Sequence, residues 1–435
     1  MFNKKTVREV ELTGKRVLLR ADFNVPVKKG IISDDYRVKQ SLPTIDYILR
    51  QKGTSLVIIS HLGRPINSDD KSSSLAPVAK HLSSLLGKPV KFAEDCIGED
   101  AKKTADELRA GDILLLENLR YHKEEEKNDE QFAKNIVEAS GGEIFVQDGF
   151  GVVHRAHAST DAITKLLPAV AGLLLEKEIK AVIKVMKDPA RPLLAVVGGA
   201  KISDKIEVLN RFIEIADCVA IGGAMTNNFL VAQGISVGKS LIDKESINTA
   251  HEILEKIKVQ EQQRSFSFLV PVDVVVSTDK DGRATTRVVD IASHSLADIQ
   301  SYPKSPPAEA YSIAADEMVL DIGPISSAYI SGAVKLAKTV IWNGTLGVTE
   351  TKGISGAHDP FAHGSRMVID AMIGPTNWHH SKPFTFVGGG DTAAYVEGEG
   401  LVDDFNHVST GGGAALELMS GKSLPGVEVL LNKEG

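Results

Sequence analysis

Short runs that are apolar on consecutive positions recur along this chain, and segments with apolar residues at helical spacing separate most of them. The runs are Arg16 to Asp22, Ser55 to Ser60, Ile113 to Asn118, Ile144 to Asp148, Pro192 to Gly199, Cys218 to Gly223, Phe268 to Asp273, Met318 to Gly323, Thr339 to Gly344 and Phe384 to Gly390. A run without polar alternation suits a strand buried on both faces, as in a parallel sheet covered by helices. The alternation predicts an α/β fold built from βαβ units.

At 435 residues the chain is too long for one core, and two domains are expected. The segment LLLEKEIKAVIKVMK, Leu173 to Lys187, has helical spacing, separates two sets of strand runs and precedes the DPARP turn signal. It reads as an interdomain helix. The charge run KEEEKND, Lys123 to Asp129, reads as a solvated helix start or loop.

Lys plus Arg number 50 against 57 Asp plus Glu, a net charge of −7, which removes the overall attraction of a nucleic-acid or anionic-membrane binder. Any anion site must therefore be local. The longest apolar runs, such as Leu166 to Leu175 with its Pro168 and Gly172, fall short of the ~20 residues that span a bilayer. The first residues, MFNKKTVREVELTGKR, lack the apolar core of a secretory signal, so a cytoplasmic address is expected. Cys96 and Cys218 form no CxxC pair and have no neighbouring His, and both read as ordinary buried thiols.

Nearly every apolar run ends in Asp, Asn, Gly or His, at the carboxyl ends of strands where open α/β sheets bind ligands. Taken singly, such residues make turns and cap helices. In combination they divide into two sets. Arg20, Arg37, His61, Arg64, Arg120 and Arg155 sit at or just beyond the first four strands, and RADFNVP, SHLGRP, ENLRYH and HRAHAST each pair a strand end or its loop with such a group. Guanidinium and imidazole groups placed there can grip phosphate or carboxylate.

The second set is rich in glycine. GGAKISDK (Gly198 to Lys205), IGGAM with Gly222 and Gly223, WNGTLGVTE (Trp342 to Glu350), GGGDTAAY (Gly388 to Tyr395) and STGGGAAL (Ser409 to Leu416) all flank helical segments. Loops without side chains let the backbone approach a base, a ribose and a polyphosphate. Lys201 and Lys205, four apart, are expected to share one helix face. Asp391 could hold Mg²⁺ alongside phosphate oxygens, because that ion takes one or two carboxylates plus substrate oxygens. Other chemistries lack their residues. His61, His154 and His157 have no carboxylate or thiolate partners at zinc spacing. GxSxG does not occur at a strand-to-helix turn, no GxxxxGK[ST] loop occurs, and no GxGxxG follows the first strand, which argues against a nicotinamide dehydrogenase.

RADFNVP, SHLGRP, ENLR, HRAHAS, GGAK with DK, WNG with GVTE, GGGDTA and STGGGA stand in the order found in the phosphoglycerate kinase family, which the chain resembles from end to end. The resemblance implies a two-lobed monomer, each lobe a Rossmann-like parallel sheet covered by helices. The first lobe, 1–172 plus a returning 409–435, would bind 3-phosphoglycerate or 1,3-bisphosphoglycerate. The second, 188–408, would bind Mg-nucleotide, with 173–187 as the hinge.

Carried over by residue, the acid-side ligands would be Asp22, Asn24, Arg37, His61, Arg64, Arg120 and Arg155, with Arg20 a further candidate. The nucleotide side would use Gly199, Ala200, Lys201, Lys205, Gly222, Gly223, Asn343, Gly347, Val348 and Glu350, together with Gly388, Gly389, Gly390, Asp391 and Thr392. Glu350 would meet the ribose and Asp391 the metal. Arg37, Lys205 and the helix start at Gly411, Gly412 and Gly413 would face the transferring group.

The implied partners are small molecules, 3-phosphoglycerate or 1,3-bisphosphoglycerate and ATP or ADP, with Mg²⁺ as cofactor and neither nucleic acid nor membrane. The sequence departs from the family where Thr345 replaces a proline after WNG, and where Asp148-Gly149-Phe150-Gly151 replaces DAFG. Thr345 is expected to loosen the nucleotide loop and keeps a catalytically silent nucleotide-binding relative as the alternative. The stretch GPTNWHHSKP, Gly374 to Pro383, has no assigned role.

Overall fold

The computed structural model describes residues 2–66, 70–291, 312–353, 359–375 and 381–433. The chain divides into two compact units, Met1–Ile183 with Thr410–Gly435, and Lys184–Ser409.

In the first unit the strands are β1 (Arg16–Arg20), β2 (Val27–Lys28), β3 (Ile31–Ile32), β4 (Ser55–Ile59), β5 (Val90–Ala93), β6 (Ile113–Leu116), β7 (Ile144–Gln147) and β8 (Ala169–Ala171). Six of them form one sheet in the order β5-β6-β4-β1-β7-β8, and every pairing is parallel. β2 and β3 form a small antiparallel ribbon. Val17, Leu19, Leu56, Ile58, Ile113, Leu115 and Val146 from this sheet are buried in one core with Val38, Ile45 and Ile48 of helix α1 (Tyr36–Leu49) and Val78 and Leu82 of α2 (Ala76–Leu86). The remaining crossover helices are α3 (Gly98–Asp106) and α4 (Glu130–Ser140).

Helix α5 (Leu173–Lys187) spans the expected interdomain segment, and it belongs to the first unit as far as Ile183, beyond the expected boundary at 172. Its start is tied down by a buried acid. Asp148, just past β7, accepts hydrogen bonds at Oδ1 from the Leu174 and Leu175 N–H groups at 2.9 and 3.3 Å. These donors are orphans at any helix start.

The second unit contains β9 (Leu193–Val197), β10 (Cys218–Ile221), β11 (Ser267–Leu269), β12 (Asp273–Ser277), β13 (Arg287–Asp290), β14 (Met318–Ile322), β15 (Thr339–Asn343), β16 (Phe384–Gly388) and β17 (His407–Val408). Its parallel sheet runs β11-β10-β9-β15-β16-β17, so the order turns back between β9 and β15, the topological switch point of a doubly wound sheet. Trp342 on β15 is fully buried, and its indole N–H donates to the Gly344 carbonyl at 2.9 Å. The helices are α6 (Ile206–Ile215), α7 (Thr226–Ala232), α8 (Ile247–Gln263), α9 (Pro324–Leu336), α10 (His363–Ile373) and α11 (Gly390–Gly398).

A second sheet corrects the purely parallel expectation. β13-β12-β14 is antiparallel throughout. The run Phe268 to Asp273 is divided here: β11 ends at Leu269, β12 begins at Asp273, and Pro271, which lacks a ladder donor, lies between them. Met318 to Gly323 joins the antiparallel sheet instead of a parallel one.

After Ser409 the chain rejoins the first unit through α12 (Gly412–Met419) and α13 (Pro425–Glu428). Leu431 is bonded there on both sides, donating to Ala169 O and accepting from Lys5 N. Half of the unassigned stretch Gly374 to Pro383, residues 376–380, lies outside the described residues. No helix among those described is long and apolar enough to cross a membrane.

Candidate active site

In the first unit, the loops beyond β1, β4, β6 and β7 bring the cationic residues together around one buried carboxylate. Asp22, two residues past β1, accepts from Arg37 Nη1 at 3.3 Å on each oxygen, and the same Nη1 donates to Asn24 O at 3.2 Å. His61 Nδ1 lies 4.0 Å from Asp22 Oδ1. Burial works against the Asp22 charge, but Arg37, His61 and Arg20 outweigh it and hold its carboxyl below the usual range. Burial also drives His61 well below its ordinary value, so its imidazole is neutral at pH 7.

Asn24 Oδ1 accepts from Gly63 N at 2.8 Å, and Arg120 Nη1 donates to Gly63 O at 2.7 Å, which joins the ENLR loop to SHLGRP. Arg64 and Arg120 line a cleft with Tyr121, His122, Lys123 and Lys127. Burial lowers the Arg120 pKa, and the charges of Arg155 and Arg64 contribute to the same shift, so three guanidinium groups share one field. Glu126, 3.3 Å from Arg120 Nε, and Glu125 oppose the shift, so carboxylates of the chain partly balance this cluster.

Gly411, Gly412 and Gly413 belong to this unit. Gly411 caps α12, and a Cβ there would collide with Phe150 and the Gly151 backbone, while one on Gly413 would touch His154. A Cβ on Gly151 would overlap Asp22 Oδ2, so the glycine of DGFG is what lets this loop close on the carboxylate.

Arg20 stands apart as a scaffold residue. It is 1% exposed, with Nε donating to Ser159 Oγ at 2.8 Å and Nη2 4.0 Å from Glu125 Oε1. Glu125 itself corrects the reading of KEEEKND as wholly solvated. It is buried and accepts from Ser159 N and Oγ at 3.0 and 2.6 Å. Nothing in four like residues out of seven marks which one turns inward.

In the second unit, the switch point gathers the glycine loops. Gly199 N donates to Thr345 O, Gly198 N to Asn343 O and Gly223 N to Leu346 O, each at 2.9 Å. Backbone groups thus lace these loops directly to one another. Thr345 contributes its carbonyl, which a proline would carry as well, and the side chain is 6% exposed. Gly344 has φ +97°, and a Cβ there would run into the Gly198 carbonyl.

Lys205 Nζ donates to Gly198 O at 2.6 Å, Asn343 Oδ1 at 2.8 Å and Asn343 O at 3.1 Å. Burial lowers its pKa to about 8 against the opposing charges of Asp391 and Asp204, which leaves it protonated at pH 7. Gly344 N donates to Thr392 Oγ1 at 2.7 Å, and Gly389 precedes α11 as its cap. This fastens the GGGDTA loop, Gly388, Gly389 and Gly390 included, beside WNG.

An open cleft lies at this point, at the carboxyl ends of the strands where doubly wound sheets bind ligands. Gly199, Ala200, Gly223, Gly347, Val348, Glu350 and Asp391 line it among the expected residues. Gly222 lies at its edge, where a Cβ would strike Leu346. Pro271, Val274, Val319, Leu320, Asp321 and Ile322 also line it, apolar walls supplied largely by the antiparallel sheet that sequence reasoning missed. Lys201 faces an adjoining cleft with Ser203 and Asp243. Lys201 and Lys205 do not share a helix face, because α6 begins at Ile206 and both precede it. The Asp391 carboxylate, in the first turn of α11, is a hard oxygen donor on the cleft wall, which fits Mg²⁺ completed by phosphate oxygens.

The family model for Phosphoglycerate kinase matches residues 7–422. The chain belongs to the phosphoglycerate kinase family. It is 43% identical over 430 residues to a phosphoglycerate kinase of Pelotomaculum thermopropionicum, covering 99% of this chain and 100% of the relative. The phosphoglycerate kinase of Chloroherpeton thalassium is 44% identical over 432 residues, with the same coverage. Among solved structures, phosphoglycerate kinase from Coxiella burnetii superposes with a TM-score of 0.76 at 34% identity, covering 98% of both chains. The enzyme from Pyrococcus horikoshii gives 0.80 at 28% identity with the same coverage. As a phosphoglycerate kinase family member, the chain has the two parallel α/β sheets that its structural neighbours share.

Proposed function

We propose that this chain is a working phosphoglycerate kinase that reversibly transfers the acyl phosphate of 1,3-bisphosphoglycerate to ADP, giving ATP and 3-phosphoglycerate in glycolysis or gluconeogenesis. The observation that supports it most is the cleft at the second switch point, lined by main-chain loops, Glu350 and Asp391, with Lys205 fixed beside them. In this reading Gly199, Ala200, Gly222, Gly223, Asn343, Gly347 and Val348 receive the nucleotide, and Lys201 guards its approach. Glu350 meets the ribose.

On the other unit, Asp22, Asn24, Arg37, His61, Arg64, Arg120 and Arg155 take the phosphoglycerate. The P–O bond to the acyl oxygen breaks as a β-phosphate oxygen of ADP bonds to the same phosphorus, and the leaving group is a carboxylate. Neither oxygen exchanges a proton, so positioning and charge neutralisation do the work and no general base is required.

Two phosphate charges 4 Å apart repel by about 4 kcal/mol at an effective dielectric of 20. Lys205 spreads charge from the equatorial oxygens, Arg37 steadies the forming carboxylate, and the α12 start at Gly411, Gly412 and Gly413 turns the positive end of a helix dipole toward the transferring group. Asp391, with Thr392 behind it, would hold Mg²⁺, which when bound neutralises phosphate oxygens. Acyl phosphates hydrolyse readily, so we infer that closure about α5 excludes water during transfer. The setting implied is a cytoplasmic monomer. A coupled assay tests the reading: 1,3-bisphosphoglycerate and Mg-ADP should give ATP rapidly, and a chain that binds nucleotide but forms no ATP is a silent relative.

A further inference from the structure

Asp95 and Cys96 lie outside the machinery described above, His122 stands at the edge of the Arg64–Arg120 cleft, and the ligand atoms of the three all fall within 4.8 Å of one another. Asp95 and Cys96 follow β5 and lead into α3, whereas His122 ends the short turn after β6. β5 and β6 are parallel neighbours, so their carboxyl-end loops emerge side by side. That adjacency joins residues distant in sequence.

His122 Nε2 is 2.7 Å from Asp95 Oδ1, and the ring packs at 5.1 Å on Phe132, which fixes its plane. The Cys96 sulfur is fully buried behind them, and the Asp95 and His122 side chains are 47% and 25% exposed. One side of the cluster is therefore reachable from water.

We propose that Asp95, Cys96 and His122 form a binding site for a borderline divalent cation of the Zn²⁺ type, with water as the fourth ligand. A thiolate, an imidazole and a carboxylate are the donor set that such an ion selects and that Mg²⁺ or Ca²⁺ does not. Bonds of roughly 2.0–2.3 Å to a tetrahedral centre put ligand atoms about 3.3–3.7 Å apart, so small side-chain shifts complete the geometry. Burial, with Asp95 and Glu125 adding to it, pushes the Cys96 thiol up, and ligation as thiolate displaces its proton. Binding releases that one proton. Nε2 donates to Asp95 here, so ligation breaks that hydrogen bond and moves the ring proton to Nδ1, and the two anionic ligands balance the ion's charge.

Cobalt(II) titration of the full chain provides the test. Wild type should bind one ion with sulfur-to-cobalt charge-transfer absorption in the near ultraviolet. Cys96→Ser should abolish that band and Cys218→Ser should leave it intact. His122→Gln, at a half-exposed loop position that spares the core, should weaken binding by roughly tenfold to a hundredfold or more, the scale reached by losing even an outer-shell partner. No charge-transfer band in wild type at millimolar cobalt, a band that survives Cys96→Ser, or unchanged affinity in His122→Gln would overturn the proposal.

Discussion

The two parallel sheets have the same strand count and place their loops at the same ends, yet they equip those loops differently. The first presents side chains: guanidinium and imidazole groups organised by the buried Asp22. The second presents backbone: glycines tied carbonyl to N–H across the switch point, with Lys205 as the one strongly held cation described there. The sheet supplies the place and the loop residues supply the chemistry. Side-chain forks suit a small, densely charged acid, and bare backbone suits a broad ligand that must approach closely.

Substitutions can break this contrast or sharpen it. The largest effect is expected for Lys205→Ala, which should lower kcat by about two to three orders of magnitude, the scale for one preorganised charge-stabilising group, and leave Mg-nucleotide affinity nearly intact. Steady-state rates and nucleotide titration on the same samples check this. An equal loss of affinity with no separate loss of turnover would make the second site a binding surface only.

Both units also bury a carboxyl at a helix start. Asp148 holds α5, and Asp321 Oδ2 accepts from Gly364 N in the first turn of α10. Burial pushes each pKa to about 7. A raised carboxyl pKa means that the folded chain keeps a proton which the unfolded chain releases above about pH 4. This contribution is complete below that pH and is lost as pH rises through 7. Asp148→Asn keeps the acceptor for Leu174 and Leu175 without the charge, so it should abolish a stability loss of about 3 kcal/mol between pH 5 and pH 8. Urea unfolding of both proteins at the two pH values measures it, and parallel pH profiles would refute it.

Two glycine substitutions separate the sites more finely. Gly151→Ala should push Asp22 away from Arg37 and weaken 3-phosphoglycerate binding, by roughly tenfold if one charge-assisted contact worth about 1.5–3 kcal/mol is partly lost, with nucleotide binding unchanged. Gly344→Ala should do the reverse, because it strains only the second unit. Titrating each variant with both ligands gives a crossed pattern if recognition is divided as proposed. The smallest effect belongs to Arg64→Ala. Arg64 is exposed, so the phosphoglycerate constant should weaken by about tenfold or less at low salt, and the difference should shrink as ionic strength rises.

The central strands were legible because burial on both faces leaves an unbroken apolar run, whereas the short edge strands β5, β8 and β17 were not, and the loop motifs were legible because glycine and arginine at strand ends are poor choices for anything but turns or ligands. The antiparallel sheet was not legible. Val274, Val275 and Val276 read like any buried strand, and only Pro271 hints that the chain has already left the first sheet. Glu125 was hidden among similar neighbours, and the Cys96–His122 approach depends on β5 pairing with β6, which no local pattern encodes. Lys201 was misplaced because helical spacing was extended across a turn that ends only at Ile206.

The return of the chain at Thr410 bears on how the protein is made. Its second unit is one unbroken stretch, so a ribosome can release all of it and let it fold while translation continues. The first unit is drawn from chain on both sides of the second, and its opening segments must wait, incomplete, until the stretch after Ser409 has been made. The glycine helix start that packs on Phe150 and Gly151 is thus added only after the second unit, and a product arrested before Thr410 would hold a complete second unit and an unfinished first one.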